Sequence, residues 1–349
     1  MSRRITLIRH AMPEIPIGER WCVGGRTDLP LSRLGRLQAA LLPFFPQLRD
    51  LNAVFCSGMI RARETALPLC SAPREMPGLE EQDMGEWDGL SFREIRERFP
   101  ELYAARDGQP ELLPAGAEPT ETVRARMEAA LRRCLAESEG DIAAVSHKGA
   151  IASLVGQREA LQYTSLTVLD FDGERLIPRD VGLLPRPALT DPACEALLRA
   201  AGADERLQAH CRAVADLAGE LCRALAGRGP ELDAGAVRAA ALLHDIARDL
   251  PEHPAAGALW LRELGYPEVA GIVRQHHDPE STALDEAALV FIADKAVRGD
   301  MRVPIDERFA GSLEKCATQE AREAHRRRWE AAKRIQNEIN RLCGAELLK

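Results

Sequence analysis

The segment Ile5-Thr6-Leu7-Ile8-Arg9-His10 places a cation and a histidine directly after four β-favouring residues. A short apolar run that ends in polar residues is typical of a buried strand. Ala53 to Cys56 and Ile142 to Val145 have the same form, and the stretches between these runs have helical periodicity. This alternation predicts an N-terminal α/β domain whose largely parallel sheet is flanked by helices.

The second half of the chain has a different pattern. Residues 178–190 contain three prolines and few helix-forming residues, which predicts a linker. A helix is expected to restart with Asp191 as its N-cap and Pro192 at its first helical position. Beyond that point we find helical periodicity and no convincing strand. We therefore predict an α/β domain over residues 1–177 and an all-α helical bundle over residues 191–349, which ends in a charged packing helix from Thr318 to Leu342.

Composition limits the possible locations and partners. At 349 residues the chain is longer than a single core usually grows, so two domains are expected. The nine cysteines include no C-x-x-C pair, which indicates free thiols in a reducing cytoplasm. The apolar stretch near the N-terminus is too short for a signal peptide, and no run of about 18 apolar residues would span a membrane. A net charge of −8 argues against binding to bulk nucleic acid.

The ends of the predicted strands carry residues suited to phosphoryl chemistry. Arg9 and His10 follow the first strand, Arg61 lies just after the second, and His147 follows a later one. In open α/β sheets, functional groups gather at the carboxyl ends of the strands. A neutral imidazole can attack a phosphoryl group, while arginines hold its equatorial oxygens and a second histidine adds a donor. The pattern predicts a crevice that binds a phosphorylated small molecule.

Five segments, in order, resemble the signatures of the histidine phosphatase (phosphoglycerate mutase-like) superfamily. They are Ile8 to Ala11, Gly25 to Ala39, Ser57 to Ala66, Glu81 to Gly89 and Ala144 to Gly149. The resemblance implies that His10 is the nucleophile, that Arg9, Arg61 and His147 form the phosphate pocket, and that Glu81 protonates the leaving alkoxide. It implies no cofactor for this domain. The motifs are most similar to those of the alpha-ribazole phosphatases.

The chain departs from that superfamily directly after the nucleophile. Ala11 replaces the usual glycine, and Met12-Pro13-Glu14 replaces the usual threonine and asparagine. These departures leave open a regulatory protein that only binds a phosphorylated ligand, with one or both sites inactive. A phosphoglycerate mutase-type enzyme is a further alternative.

A second cluster begins at His244-Asp245, directly after the apolar run Ala240 to Leu243. Two ionisable groups at the end of a buried helical stripe are costly unless they are compensated, and a divalent metal would compensate them. Imidazole and carboxylate suit iron, manganese, zinc or a similar ion. The candidate partners on other predicted helices are His210, His253, His276 or His277, and Asp294.

These residues resemble the HD-domain metal phosphohydrolases. The resemblance implies ligation by His210, His244, Asp245 and Asp294, with His253 and His276 at the positions that support a second metal in the branch of symmetric diadenosine tetraphosphate hydrolases. Between His276 and His277, we expect His276 to be the ligand. The two resemblances together predict a bifunctional phosphohydrolase: a phosphohistidine-dependent phosphomonoesterase joined to a metal-dependent hydrolase of a nucleotide or other phosphorylated small metabolite. The oligomeric state stays open.

Overall fold

The computed structural model describes residues 3–16, 18–106, 109, 111–157, 160–314, 316–344 and 346–348. The chain divides into two compact units, Met1–Pro187 and Ala188–Lys349. Each unit has its own secondary structure and core, and we describe each one by itself.

The first unit is built on a six-stranded sheet in the order β3-β2-β4-β1-β5-β6. Strands β1 to β4 are parallel to their neighbours within this set, and β5 and β6 add an antiparallel edge. The predicted α/β domain with a largely parallel sheet is thus confirmed. Its elements are β1 (Arg3–Arg9), α1 (Arg33–Ala40), β2 (Ala53–Cys56), α2 (Ile60–Ala66), β3 (Arg74–Glu75), α3 (Phe92–Arg98), α4 (Pro100–Ala105), α5 (Thr120–Ala136), β4 (Ile142–Ser146), α6 (Lys148–Val155), β5 (Leu166–Phe171) and β6 (Leu176–Leu183).

The order of the strands brings three functional strand ends together. Strand β4 lies between β1 and β2, and all three run in the same direction. The main chain stays paired just beyond the strands: His10 N donates to Ser146 O at 2.9 Å, and Ser57 N donates to Val145 O at 3.0 Å. The residues that follow β1, β2 and β4 therefore meet at one edge of the sheet.

The predicted linker overlaps the last strand of this unit, so its start at residue 178 is wrong. Strand β6 runs to Leu183, and Pro178 lies opposite Leu169 of β5. Because β6 is an edge strand, a residue without an N–H group is tolerated there. Pro178 is compatible with a strand for this reason, whereas Pro185 and Pro187 lie beyond the end of β6.

The second unit is mostly helical, as predicted. It contains α7 (Asp191–Ala200), α8 (Glu205–Leu225), α9 (Ala234–Leu243), α10 (His253–Glu263), α11 (Pro267–Arg274), α12 (Glu286–Lys295), β7 (Val297–Arg298), β8 (Met301–Arg302), α13 (Ile305–Leu313) and α14 (Gln319–Cys343). The expectation of no strand is wrong at β7 and β8, which pair as a short antiparallel ladder. Gly299 connects them with a φ of +62°, a conformation that favours glycine. Two-residue strands are too short to leave an alternating pattern in the sequence.

Helix α12 lies at the centre of this unit. Residues 287–294 of this helix are all buried, and it contacts α8, α9, α11 and α14. A helix that is buried on all sides belongs to the interior of a bundle. Helix α14 buries Ala332, Ile335 and Ile339, whereas Trp329 is 38% exposed and donates its indole N–H to Asp306.

Helix α7 begins one residue earlier than predicted. Thr190 is its N-cap and Asp191 is already helical. The Asp191 carboxylate instead accepts a hydrogen bond from Arg238 Nε at 2.7 Å. The Asp191 carboxylate, which the sequence assigned to helix capping, therefore forms an ion pair with Arg238 of α9. None of the helices within the described ranges is both long and apolar enough to cross a lipid bilayer.

Candidate active sites

His10 lies at the end of β1 and is 5% exposed. Its Nδ1 is 2.7 Å from the carbonyl oxygen of Ala11. Because a carbonyl can only accept, Nδ1 must carry the proton and Nε2 keeps a free lone pair. Burial, together with the charges of Arg61 and Arg9, holds the pKa of His10 well below 6.5. The ring is therefore neutral near pH 7, with Nε2 as its basic nitrogen.

The loop after His10 is fixed by helices α1 and α2. Ala11 N donates to Thr65 Oγ1 at 3.0 Å, and Met12 N donates to Gln38 Oε1 at 2.9 Å. A Cβ added at Gly35 would lie only 2.0 Å from Met12 O, so only glycine lets the start of α1 approach this loop. Gly35 and Gln38 thus position the loop whose Ala11 carbonyl orients His10.

Two arginines place positive charge beside His10. Arg61, in the first turn of α2, is wholly buried; its guanidinium donates to Thr27 O at 2.8 Å and Gly24 O at 3.3 Å. Its Nε is buried without a hydrogen-bond partner among the described residues. Arg9 donates to Leu161 O at 2.8 Å. A buried guanidinium held mainly by carbonyls is a strong anion-binding group.

His147 follows β4 and packs against His10. The ring centroids of His10 and His147 are 5.0 Å apart, and His147 Nε2 is 2.7 Å from Ser57 Oγ. Burial, with the nearby His10 and Arg61, lowers the pKa of His147 well below 6.5. Its Nδ1 is buried and has no hydrogen-bond partner in the described part of the chain. This nitrogen is available to contact a bound oxyanion.

Glu81 lies at the N-terminus of α6. Its carboxylate accepts hydrogen bonds from the main-chain N–H groups of Gln82 at 2.8 Å, Ala150 at 3.0 Å and Gly149 at 3.1 Å. The helix N-terminus favours a negative charge at this position. In this arrangement Glu81 is a hydrogen-bond acceptor.

Arg9, His10 and Glu81 line one cavity of about 410 Å³. Arg61 and His147, wholly buried, are not part of its lining. Sequence reasoning assigned no role to the rest of the wall, although Trp87 and Lys148 lie within two of the recognised segments. The wall includes four aromatic side chains and three cations: Trp21, Trp87, Phe92, Tyr163, Arg20, Arg106 and Lys148.

The second unit contains two groups of potential metal ligands. Within each group the donor atoms lie within 4.8 Å of one another; the groups are His210, His244 and Asp294, and His253, His276 and His277. Asp245 lies between them: its Oδ2 is 3.6 Å from His244 Nε2, and its Oδ1 is 3.0 Å from His253 Nε2 and 3.6 Å from His276 Nε2. The structure brings all six predicted residues together. It adds His277 beside His276, where the sequence favoured His276 alone.

Main-chain carbonyls set the orientation of three of these histidines. The Nδ1 atoms of His210, His244 and His276 lie 2.8, 2.8 and 2.7 Å from carbonyl oxygens. Each Nδ1 must donate, so each Nε2 keeps its lone pair. The Nε2 atoms of His244 and His276 are buried without a hydrogen-bond partner among the described residues. A metal ion would satisfy these nitrogens, so the residues present fit a divalent ion.

Burial and neighbouring groups keep Asp294 ionised and keep His244 and His277 neutral, which are the states that bind metals. Burial opposes ionisation of Asp294, but Lys295, whose Nζ is 2.6 Å from Oδ2, holds the pKa of that carboxyl below its usual range. Burial lowers the pKa of His244 to about 4, and burial with the charge of Lys295 lowers that of His277 to about 2. For His210 the hydrogen bond and charge of Asp294 outweigh burial and raise the pKa above 6.5.

Arg248 lies three residues after Asp245. Its guanidinium lies 3.5 Å from Asp245 Oδ1 and 3.2 Å from His253 Nε2. This arginine places a positive charge next to the carboxylate that lies between the two ligand groups.

The sheet edge with its buried histidines and arginines, and the histidine-carboxylate cluster, define a protein that handles phosphoryl groups. Residues 5–179 match the histidine phosphatase superfamily (branch 1), and residues 207–299 match the HD domain. The chain belongs to the histidine phosphatase superfamily and carries an HD domain in its second unit. It is a hydrolase of phosphate esters.

Several curated proteins are similar to this chain. An uncharacterized protein of Methanocaldococcus jannaschii is 33% identical over 30% of this chain and 73% of its own length. The adenosylcobalamin/alpha-ribazole phosphatase of Salmonella typhimurium is 28% identical over 47% of this chain and 83% of its own length. A Mycobacterium tuberculosis protein described as bifunctional is 30% identical over 44% of this chain, but the match spans only 43% of that protein.

Proposed function

We propose that the chain is a bifunctional phosphohydrolase whose first unit cleaves phosphomonoesters through a phosphohistidine. The observation that carries this proposal is the bond between His10 Nδ1 and Ala11 O, which leaves Nε2 as the nucleophile. Nε2 attacks phosphorus, and the bond from phosphorus to the leaving oxygen breaks. Water then attacks the phosphohistidine, the N–P bond breaks and inorganic phosphate leaves.

Around this reaction, the cations are assigned to the phosphoryl oxygens. Arg9 and Arg61 hold them, and His147 donates from Nδ1 as charge shifts in the transition state. Glu81 is assigned to protonate the leaving alkoxide, for which it must take up a proton and release the N–H groups of Gly149 and Ala150. For the first unit alone, a regulatory role that binds the phosphorylated ligand without turnover is favoured by one observation, namely that Glu81 accepts three main-chain hydrogen bonds.

Substitution of the nucleophile tests the first activity. His10→Ala should abolish the hydrolysis of para-nitrophenyl phosphate that persists in chelator, because no other described side chain is positioned to form the phosphoenzyme. Asp245→Ala, in the other unit, should leave this hydrolysis unchanged. Chelator-resistant turnover by His10→Ala would exclude the assignment.

Substitution of Glu81 separates acid catalysis from a structural role. Glu81→Gln should slow alkyl phosphates by about 10²–10⁴-fold. It should slow para-nitrophenyl phosphate far less, because that leaving group needs little protonation. Equal losses on both substrates would show that Glu81 only supports α6, and absence of turnover in the wild type would favour the binding protein.

For the substrate of the first unit we propose a small phosphomonoester with a flat leaving group, such as an alpha-ribazole-type nucleotide. Trp21, Trp87, Phe92 and Tyr163 line the cavity beside His10 and could stack on such a group. The similarity to a protein named as an alpha-ribazole phosphatase supports this class. A comparison of kcat/KM for nucleotide and sugar monophosphates tests it, since the proposal requires a preference for nucleotides.

We further propose that the second unit is a metal-dependent hydrolase of a nucleotide or other phosphorylated small metabolite. The buried lone pairs of His244 and His276 carry this proposal. One ion would be held by His210, His244 and Asp294, another by His253, His276 and His277, with Asp245 facing both. Such ions lower the pKa of bound water and neutralise phosphoryl oxygens. Asp245→Ala should remove metal and nucleotide hydrolysis together; nucleotide hydrolysis that survives chelation would contradict the proposal.

A further inference from the structure

The C-terminal unit has a cavity of about 420 Å³ whose wall includes His277. His277 also belongs to the ligand group of His253, His276 and His277. This volume is in the range of small-ligand sites. Its polar lining is basic: Lys295, Arg308 and Arg328 contribute cations, and His277 and His325 contribute imidazoles. No aspartate or glutamate belongs to the described lining. We call this space the basic cavity.

The basic cavity is formed largely by segments beyond the HD match, which ends at residue 299. Arg308 lies on α13, and His325 and Arg328 lie on α14. His277 and Lys295 connect the cavity to the two ligand groups. His277 belongs to one group, and Lys295 Nζ is 2.6 Å from Oδ2 of Asp294, which belongs to the other. The two C-terminal helices thus add a positively charged space next to the metal ligands.

Among the described residues, Arg308 is the cation of this cavity that lacks a counter-charge. Lys295 is paired with Asp294, and Arg328 makes a bidentate pair with Asp278 at 2.7 and 2.6 Å. Among the described residues, the Arg308 side chain has no hydrogen bond or ion pair, and its Nε is buried. A guanidinium presents a fork of donors that matches a phosphate, and a bound anion would satisfy it.

We propose that the basic cavity binds the distal phosphate groups of a substrate whose scissile phosphoryl group lies at the two ligand groups. This inference rests on the proposed function of the second unit and names its substrate class as a nucleoside phosphoanhydride. Water adds to the scissile phosphorus and loses a proton to solvent, the bridging P–O bond breaks, and the leaving phosphate takes the electron pair of that bond and its negative charge. Arg308 is positioned to hold that charge.

Binding of inorganic tripolyphosphate to the full chain in chelator tests the cavity without metal or turnover. Arg308→Gln should weaken one class of binding by about tenfold or more, as expected for loss of charge-assisted hydrogen bonds. Arg308→Lys should restore part of the affinity. The matched control is Arg326→Gln on the exposed side of α14, which removes the same charge outside the cavity and should change nothing.

Inorganic phosphate distinguishes a substrate subsite from a site for free phosphate. If Arg308→Gln weakens tripolyphosphate more than single phosphate, the cavity recognises a chain of phosphates. Equal weakening of both ligands would overturn the assignment to the substrate. Wild-type affinity for tripolyphosphate in folded Arg308→Gln would show that the basic cavity does not bind phosphate groups.

Kinetics with Mn²⁺-loaded protein link the cavity to hydrolysis. With ATP and diadenosine tetraphosphate, Arg308→Gln should raise KM by about tenfold or more at an unchanged metal content. If neither nucleotide is hydrolysed but tripolyphosphate binding depends on Arg308, the proposed function fails and the binding site stands. If both nucleotides are hydrolysed, and Arg308→Gln has the same tripolyphosphate affinity and KM as Arg326→Gln, the phosphate-binding role of the cavity is contradicted. The proposed hydrolase function of the second unit is then supported.

Discussion

At the scale of single residues, four histidines of the two candidate sites make the same kind of hydrogen bond. In each, a main-chain carbonyl accepts a hydrogen bond from Nδ1; the histidines are His10, His210, His244 and His276. This bond fixes the neutral tautomer and leaves Nε2 as the reactive atom. Beside arginines, Nε2 is suited to attack phosphorus; beside carboxylates, it is suited to bind a metal. The neighbours of the ring therefore decide between two chemistries.

The depressed pKa values of His10 and His147 predict how the first unit responds to acid. From about pH 8 to about pH 5.5 the C2–H proton NMR signals of both rings should not show the titration expected for an ordinary histidine near 6.5. Below the unfolded pKa of about 6.5 the unfolded chain binds protons that the folded unit does not, so stability is complete above that pH and decreases as the pH falls toward the folded pKa values. Signals assigned by His10→Gln and His147→Gln that titrate at about 6.5 would refute this.

The two ligand groups predict two metal ions per chain. His277→Ala should lose one ion and His210→Ala the other, while Asp245→Ala should lose both because its two oxygens face different groups. Metal content after dialysis measures this directly. His325→Ala is the control, because His325 belongs to neither group. One ion per chain in the wild type, or unchanged content in His277→Ala, would contradict the assignment.

At the scale of elements, the starts of two helices position the first site. The start of α1 holds the loop after His10 through Gly35 and Gln38, and the N-terminus of α6 holds Glu81 through the N–H groups of Gly149 and Ala150. The sequence showed these residues as family motifs. The distances give their physical reason, which is close approach at Gly35 and hydrogen bonding at the other positions.

The approach of α1 to the loop predicts a loss on Gly35→Ala. The added methyl would overlap Met12 O, displace the loop and disturb the carbonyl that orients His10. We expect about 1–3 kcal/mol of destabilisation from this overpacking, with a decrease in chelator-resistant kcat/KM. Urea denaturation and monoesterase assays measure the two effects.

Gly271→Ala, in α11, is the matched control because a Cβ there would contact nothing within 4 Å. It should stabilise the second unit by about 0.4–1 kcal/mol. Full monoesterase activity in Gly35→Ala would show that the loop does not depend on this contact.

At the scale of the whole molecule, a histidine phosphatase unit and an HD domain share one chain. We expect a relay, in which the HD unit cleaves a phosphoanhydride or nucleotide ester and the first unit hydrolyses the resulting monoester. Covalent attachment can hold two sites at an effective concentration of roughly millimolar, which favours transfer of the intermediate. In time courses on dinucleotides, His10→Ala should accumulate a monoester and Asp245→Ala should leave the substrate uncleaved. Chemically unrelated substrates for the two sites would exclude the relay.

The sequence by itself determined the two fold classes and most of the residues in both candidate sites. Buried parallel strands and amphipathic helices leave periodic patterns, and strand ends such as Arg9-His10 are visible as a change from apolar to polar residues. Local patterns do not show pairing across a sheet edge, however. Pro178 was therefore assigned to a linker although it lies in β6, and the short ladder of β7 and β8 was missed.

Only the tertiary structure decided which groups share a space. His277 joins His276 because the turn after α11 brings both rings to His253, and Arg308 reaches the basic cavity because α13 and α14 pack beside the ligand groups. Arg308 has no motif, and its significance comes from burial and from the absence of a counter-charge among the described residues. Such properties depend on neighbours that are distant in sequence, so a linear pattern cannot encode them.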